Sequence, residues 1–284
     1  MVRFSDIIVT TKRLVFCSTY ESLCNYLRRF VAAVAGIALV VGLWSGFVLL
    51  AQIPPYILPS PTSVVATIVN DWPVLGPALW VTAQTTLCGL FLAVIGGVCV
   101  AVLTAQSRLV EMLIAPIMVF LQVTPIVAIA PLILIYAPNP QIAQLQCAFL
   151  VTFFPIMVNT LQGLKSGDRD LADTVRIYTA SRWSMLVFLQ VPSALPSFFA
   201  GLKIGGGLAL VGAVVAEFTV GTAGENAGLA FRLLEAQQKL KTPRLFAAVM
   251  LLALLGASIF LLISVLDRFV LRHWYASKAS NAVR

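Results

Sequence analysis

Charge is what this sequence has least of. Lys, Arg, Asp and Glu make up 11% of its 284 residues, against about 25% in a soluble domain, while 60% of the residues are hydrophobic and the mean hydropathy is +0.97. An ordinary soluble fold is excluded and an integral membrane protein is expected. Histidine is nearly absent: His273 stands alone. That rules out a histidine-built metal centre and any catalytic dyad needing an imidazole within the bilayer. Cys17, Cys24, Cys88, Cys99 and Cys147 are odd in number, three of them inside apolar runs, so neither a disulfide framework nor a zinc spacing follows, and packing is their expected role. The Gly-x-x-x-x-Gly-Lys-Ser/Thr phosphate loop is missing as well. Gly163-Leu-Lys-Ser166 has the ending without a glycine directly before the lysine.

What is present is a series of long apolar runs. A crossing helix needs about 20 mainly apolar residues, and six runs qualify: Phe30 to Ile53, Leu79 to Thr104, Met112 to Tyr136, Ile142 to Leu161, Phe198 to Val220 and Leu245 to Leu266. Pro116, Pro125 and Pro131 interrupt the third, which is expected to be kinked or broken and to line a cavity where freed carbonyls find water. Pro54 to Thr62 reads as an extended segment, followed by a short helix from Ser63 to Trp72. Leu229 to Leu240 reads as an amphipathic surface helix.

The net charge of +8 does not point to nucleic acid, because the cations flank the apolar runs, where topology requires them. Arg3, Lys12, Arg13, Arg28 and Arg29 precede the first run, Arg108 follows the second, Lys165, Arg169, Arg176 and Arg182 follow the fourth, and Arg268, Arg272, Lys278 and Arg284 follow the sixth. Both termini are therefore expected in the cytoplasm, although Arg232, Lys239, Lys241 and Arg244 fall on the other side. The expected organisation is a cytoplasmic N-terminal segment (1–29), without the pattern of a cleaved leader, a transmembrane domain (30–268) and a cytoplasmic tail (269–284). Lys203, near the cytoplasmic end of the fifth run, is expected to snorkel.

The polar stretch after the fourth run is the most distinctive. Asp173-Thr-Val-Arg-Ile-Tyr-Thr179, nine residues, then Leu189-Gln-Val-Pro192 resembles the EAA loop of bacterial ABC importer permeases, whose pattern is Glu-Ala-Ala, three residues, Gly, nine residues, Ile-x-Leu-Pro. Ala180-Ser-Arg-Trp183 matches a frequent continuation. Thr179 stands where the family has glycine; a β-branched residue is strained at positive φ, so the loop is expected to turn differently here or to couple less tightly. Leu58-Pro-Ser-Pro61, Gln122 to Pro131, Phe153 to Asn159 and Ala194 to Leu202 are similar to the nitrate, sulfonate, taurine and bicarbonate uptake branch of the family.

The resemblance implies an all-α type I ABC importer permease fold, six transmembrane helices with cytoplasmic coupling helices in a loop over about 165–196. It implies a non-enzymatic permease in the bacterial inner membrane that works with a second permease copy, a cytoplasmic ATPase dimer carrying ATP and Mg, and an extracytoplasmic solute-binding protein. No cofactor is expected on this chain. The coupling residues would be Asp173, Thr179, Ala180, Ser181, Arg182, Trp183 and Pro192. Independently of the family, two short helices from Asp170 to Tyr178 and from Arg182 to Gln190 are expected to form a hairpin, with Pro192 stopping the second and Tyr178 and Trp183 as anchors.

Within the spans, Glu217 is the one carboxylate embedded in an apolar run, where a charge costs roughly 2.5 to 3.5 kcal/mol at mid-depth. It reads as a pathway or gate group, or as a helix-end group satisfied by a neighbour. Gln122, Thr124 and Asn159, beside Pro125 and Pro155, read as pathway lining or as helix-to-helix hydrogen-bonding groups. The glycines of the fifth run (Gly201, Gly205, Gly206, Gly207, Gly212) read as close-packing positions. A small anion such as a sulfonate, nitrate or taurine is the expected solute, and a vitamin or pyrimidine precursor the alternative. An ion-coupled secondary transporter is the alternative from a different class; it should place coupling carboxylates or paired charges near the midplane, where this sequence has only Glu217, off-centre.

Overall fold

Backbone amides in a bilayer have no water to bond with, so apolar runs of this length can only close their hydrogen bonds locally, as helices. The computed structural model describes residues 28, 31–32, 35–168, 171–173, 175, 181–220 and 227–281, and among these all regular structure is helical. The elements are α1 (Ala35–Leu50), α2 (Pro61–Asn70), α3 (Trp72–Gln106), α4 (Arg108–Val123), α5 (Ile126–Tyr136), α6 (Pro140–Lys165), α7 (Arg182–Met185), a π-helical turn (Leu186–Gln190), α8 (Val191–Val220), α9 (Leu229–Gln238) and α10 (Thr242–Asn281).

Two compact units divide the chain, Met1–Ala66 and Thr67–Arg284. In the first, α1 is an apolar helix of 16 residues, and residues 28, 31 and 32 before it are helical as well. The expected extended segment after it is instead turn-rich, with Gln52 at φ 48° and the Ile57 amide donating to Pro54 O. Ser60 then caps the next helix, its Oγ accepting from the Ser63 amide. The helix starts at Pro61, where proline's missing donor costs nothing.

In the second unit four helices are long and apolar enough to cross a membrane, Trp72–Gln106, Pro140–Lys165, Trp183–Thr219 and Thr242–Arg272, and α4 with α5 forms a fifth crossing if the bent pair is one span. Several exceed the runs that announced them. The 35 residues of α3 reach about 52 Å at 1.5 Å per residue, well beyond a hydrocarbon core of about 30 Å. The expected tail is also helical, since α10 continues unbroken to Asn281.

Helix α6 is central and packs along both α3 and α8. Small residues set these contacts. A Cβ on Gly212 would lie 2.9 Å from Ala148 Cα, one on Gly201 would lie 2.9 Å from Pro155 O, and one on Gly89 would lie 2.6 Å from Ala148 Cβ. The fifth-run glycines thus serve intrachain packing: Gly201, Gly205 and Gly212 face α6, Gly206 faces Ile259 and Ile263 of α10, and Gly207 faces open space. Buried threonines close their own hydrogen bonds, Thr86 Oγ1 onto Thr82 O, Thr152 onto Ala148 O and Thr160 onto Ile156 O. An apolar core of Leu90, Ile156, Phe199, Leu202 and Ile259 fills the centre.

Candidate functional site: a docking segment, a broken span and a buried joint

The polar segment after α6 begins where Ser166 Oγ and its amide both return to Gly163 O, closing the helix. Residues 171–173 and 175 are helical, with Asp173 exposed; Thr179 and Ala180 lie outside the described residues. Ser181 Oγ accepts from the Trp183 amide at 3.3 Å, and Trp183 is 71% exposed. Open aromatic side chains are what compact docking sites use as anchors. The second expected helix takes a different form. Arg182 opens α7, which passes through the π turn directly into α8, so Pro192 stops nothing. The Val191 amide bonds back to Leu186 O, five residues earlier. This wider turn absorbs the donor that Pro192 lacks, and the chain stays helical where an α-helical count alone demands a break. Gln190 is fixed there by Gln106 Nε2, which donates to its Oε1 at 2.8 Å.

The third run is broken as expected, and at one proline of three. Pro116 and Pro131 lie inside α4 and α5, whereas Thr124 (ψ 123°) and Pro125 (ψ 124°) are extended, because a proline drives its predecessor out of the α region. The two helices meet at 102°. Gln122 is exposed on the α4 side and Thr124 Oγ1 donates to Phe120 O. Asn159 is elsewhere: half-buried in the α6–α8 seam, it donates to Pro155 O at 2.8 Å and touches the Gly201 backbone. Between α5 and α6 lies an open cleft of about 420 Å³ lined by Ile129, Ile133, Tyr136, Gln146 and Phe149, a volume in the small-ligand range. Gln146 was not picked out from sequence, where it is one amide among several near the start of α6.

Glu217 is 1% exposed. Its Oε1 accepts from Thr82 Oγ1 at 2.7 Å and its Oε2 from the Ala230 amide at 2.8 Å, while the same threonine oxygen accepts from the Leu229 amide at 2.8 Å. The carboxylate therefore does for α9 what a capping side chain usually does, satisfying first-turn amides and meeting the positive end of the helix dipole. Gly228, the local N-cap, offers no side chain, and a Cβ there would sit 2.1 Å from Glu217 Cδ. Thr82 and Gly228 carry no signal in a single sequence beyond residue type.

Ion pairs mark both ends of the bundle. With Glu217 lies the Arg244–Asp71 pair, Nε to Oδ2 at 2.5 Å, whose hydrogen bond holds the Asp71 carboxyl below the usual carboxylate range. On α9, Glu235 takes Lys239 and Arg232 together, and these bonds, Lys239 first, lower its pKa to about 2. At the other end Lys165 pairs with Glu111, and Lys203 pairs with Asp267, which is 8% exposed. Lys203 does not snorkel as expected: a buried carboxylate on the neighbouring helix holds it. Among the described residues no three metal-ligating side chains gather.

Membrane-length helices around a central α6, one span broken at a proline, and an exposed aromatic segment between two crossings define a transport subunit. Residues 89–272 match the family model described as binding-protein-dependent transport system inner membrane component, and the chain belongs to that family. It is 34% identical over 84% of its length, and 88% of the relative's, to the riboflavin transport system permease protein RibX of Chloroflexus aurantiacus. It is 24% identical, over 83% of its length and 84% of the relative's, to the putative aliphatic sulfonates transport permease protein SsuC of Bacillus subtilis. In fold it resembles the crystal structure of an amino acid ABC transporter with histidines, at a TM-score of 0.60 and 15% identity, over 72% of this chain and 97% of that one. The protein is an ABC transporter permease, a multi-pass inner-membrane component and not an enzyme, whose ATP hydrolysis resides on a separate subunit.

Proposed function

We propose that this chain forms the solute path of an ATP-driven importer as one of two identical copies. In this reading the exposed segment around Asp173 and Trp183 receives the stroke of a cytoplasmic ATPase dimer that holds ATP and Mg, and a solute-binding protein delivers cargo to the opposite face. The observation that carries it is the pairing of the open Trp183 side chain with a helix that runs from it, through the π turn, to Thr219. A push at one end of such a rod displaces the other. Both termini then lie in the cytoplasm, as the flanking cations favour.

The path itself is assigned to the α4–α5 bend, with Gln122 and Thr124, and to the cleft beside Gln146; Asn159, bonded to Pro155 O in the α6–α8 seam, is assigned to helix packing instead. Uncharged amides and a freed backbone suit a small polar solute. A sulfonate, nitrate or taurine is supported by the name of the Bacillus relative, and a vitamin or other heterocycle by that of the Chloroflexus relative. Purified permease with its ATPase and binding protein, offered radiolabelled taurine and riboflavin in separate proteoliposome assays, tests the two.

The docking assignment has its own test. Asp173→Lys and Ala180→Trp are expected to lower co-purification of the ATPase and uptake at least about tenfold, about 1.4 kcal/mol of interface, with membrane insertion intact. Normal uptake from both variants overturns it.

A further inference from the structure

Glu217 is the most deeply buried carboxylate among the described residues. A group that gates or touches solute must show an oxygen to the path, and Glu217, 1% exposed, shows none: one oxygen accepts from a hydroxyl and the other from a backbone amide, both inside the bundle. What it joins is informative. Glu217 belongs to α8, Thr82 to α3, and the two amides to the first turn of α9. Thr82 has a single proton, spent toward Glu217 at 2.7 Å in preference to Ala78 O at 3.2 Å, which leaves its lone pairs for the Leu229 amide. A chain of three bonds thus ties two spans to the start of the helix that lies between α8 and α10. Ala227, Leu229 and Ala230 are sealed beneath it at 1% exposure or less.

The far end of α9 is open and cationic. Lys239 and Leu240 are exposed, Lys241 follows, and α10 then begins at Thr242 with Arg244 tied to Asp71 at the start of α3. Helix α9 is therefore a short arm with a buried root and an exposed tip, rooted in the two spans that flank α6. We infer that Glu217 is a positioning residue that fixes α9 to α3 and α8 as one body, so that the exposed tip of α9 is presented to the delivery protein in register with the spans it must move. This rests on the importer reading and on α9 facing outward. Loss of the joint leaves the path and the ATPase contacts in place but frees the arm, so that docking of the loaded delivery protein no longer reports to the spans.

The experiment uses full-length permease with its ATPase in nanodiscs and compares wild type with Glu217→Gln, Thr82→Val and Thr82→Ser. A glutamine turns one acceptor into a donor facing another donor, valine removes the hydroxyl, and serine keeps it. Hydrogen exchange at the Leu229 and Ala230 amides is expected to accelerate about tenfold or more in E217Q and T82V, a weakening of about 1.4 kcal/mol, and to stay at the wild-type rate in T82S. The concentration of loaded binding protein for half-maximal ATPase stimulation is expected to rise with it, while relative uptake of competing solutes is unchanged. Unchanged exchange in both E217Q and T82V overturns the joint, and so does an altered solute preference with unchanged docking, which makes Glu217 a path residue. A wild-type permease that fails to recruit any ATPase counts against the importer reading alone, because the exchange result stands without it.

Discussion

At Gly228 a single hydrogen atom decides whether the arm can seat. Its backbone (φ −75°, ψ 177°) is open to any residue, so the requirement is space, set by a carboxylate 2.1 Å from where a methyl would go. Gly228→Ala is expected to cost about 1 to 3 kcal/mol, the range of overpacking in a tight site, read as a lower midpoint of thermal unfolding in detergent. The double variant Gly228→Ala, Glu217→Asp shortens the offending side chain and is expected to recover part of the loss. Glu235 allows a pH prediction with a definite sign. Its carboxyl is held near 2 in the fold, below the ordinary glutamate value of 4.5, so its stabilising share is complete above pH 4.5 and fades as pH falls through 2. The group is solvent-facing, so the effect is small. Glu235→Gln should cost about 0.5 kcal/mol at neutral pH, less as pH falls from 4.5 toward 2 and nothing once pH is well below 2, seen in hydrogen exchange at the C-terminal turn of α9.

Among the elements, the α4–α5 pair shows what the sequence could and could not reveal. Three prolines in one apolar run announce a break, and position chooses among them: Pro116 and Pro131 are tolerated inside helices, while only Pro125 follows a residue already in extended geometry. Pro125→Ala restores a donor and relaxes Thr124. Spin labels at Met112 and Ile135 are then expected to move apart as the 102° bend opens, measured by pulsed electron resonance. Amphipathic α9 was legible to within two residues because its charges recur at helical spacing. The continuation of α7 into α8 was not, since proline reads as a stop in any α-helical count and the π turn that accommodates it leaves no compositional trace. Glu217 stood out as a charge in an apolar run, but its partners Thr82 and the Ala230 amide lie 135 and 13 residues away, beyond any local pattern. Lys203 drew attention for the same reason, and Asp267 escaped it by sitting near the end of its run.

Over the whole molecule, large apolar side chains remain uncovered on α1, α3, α4 and α10, among them Phe47, Trp80, Phe91, Phe120 and Phe269. Lipid accounts for such surfaces in a bilayer, but the path proposed along the α4–α5 bend is one-sided in a single chain and needs a facing wall. The two identical copies proposed above would supply it. Light scattering of the detergent-solubilised permease, corrected for bound detergent, is expected to give twice the 30.6 kDa chain mass; the mass of a strict monomer overturns the two-copy reading.

The π turn at Leu186–Gln190 carries one amino acid more than the same stretch of regular helix would hold. Wound as regular helix with no residue removed, the same stretch would carry the Trp183 indole roughly 100° further around the rod, one residue's step at 3.6 per turn. The compass bearing at which this chain would offer its handle to the proposed motor is therefore set by a miscount of one.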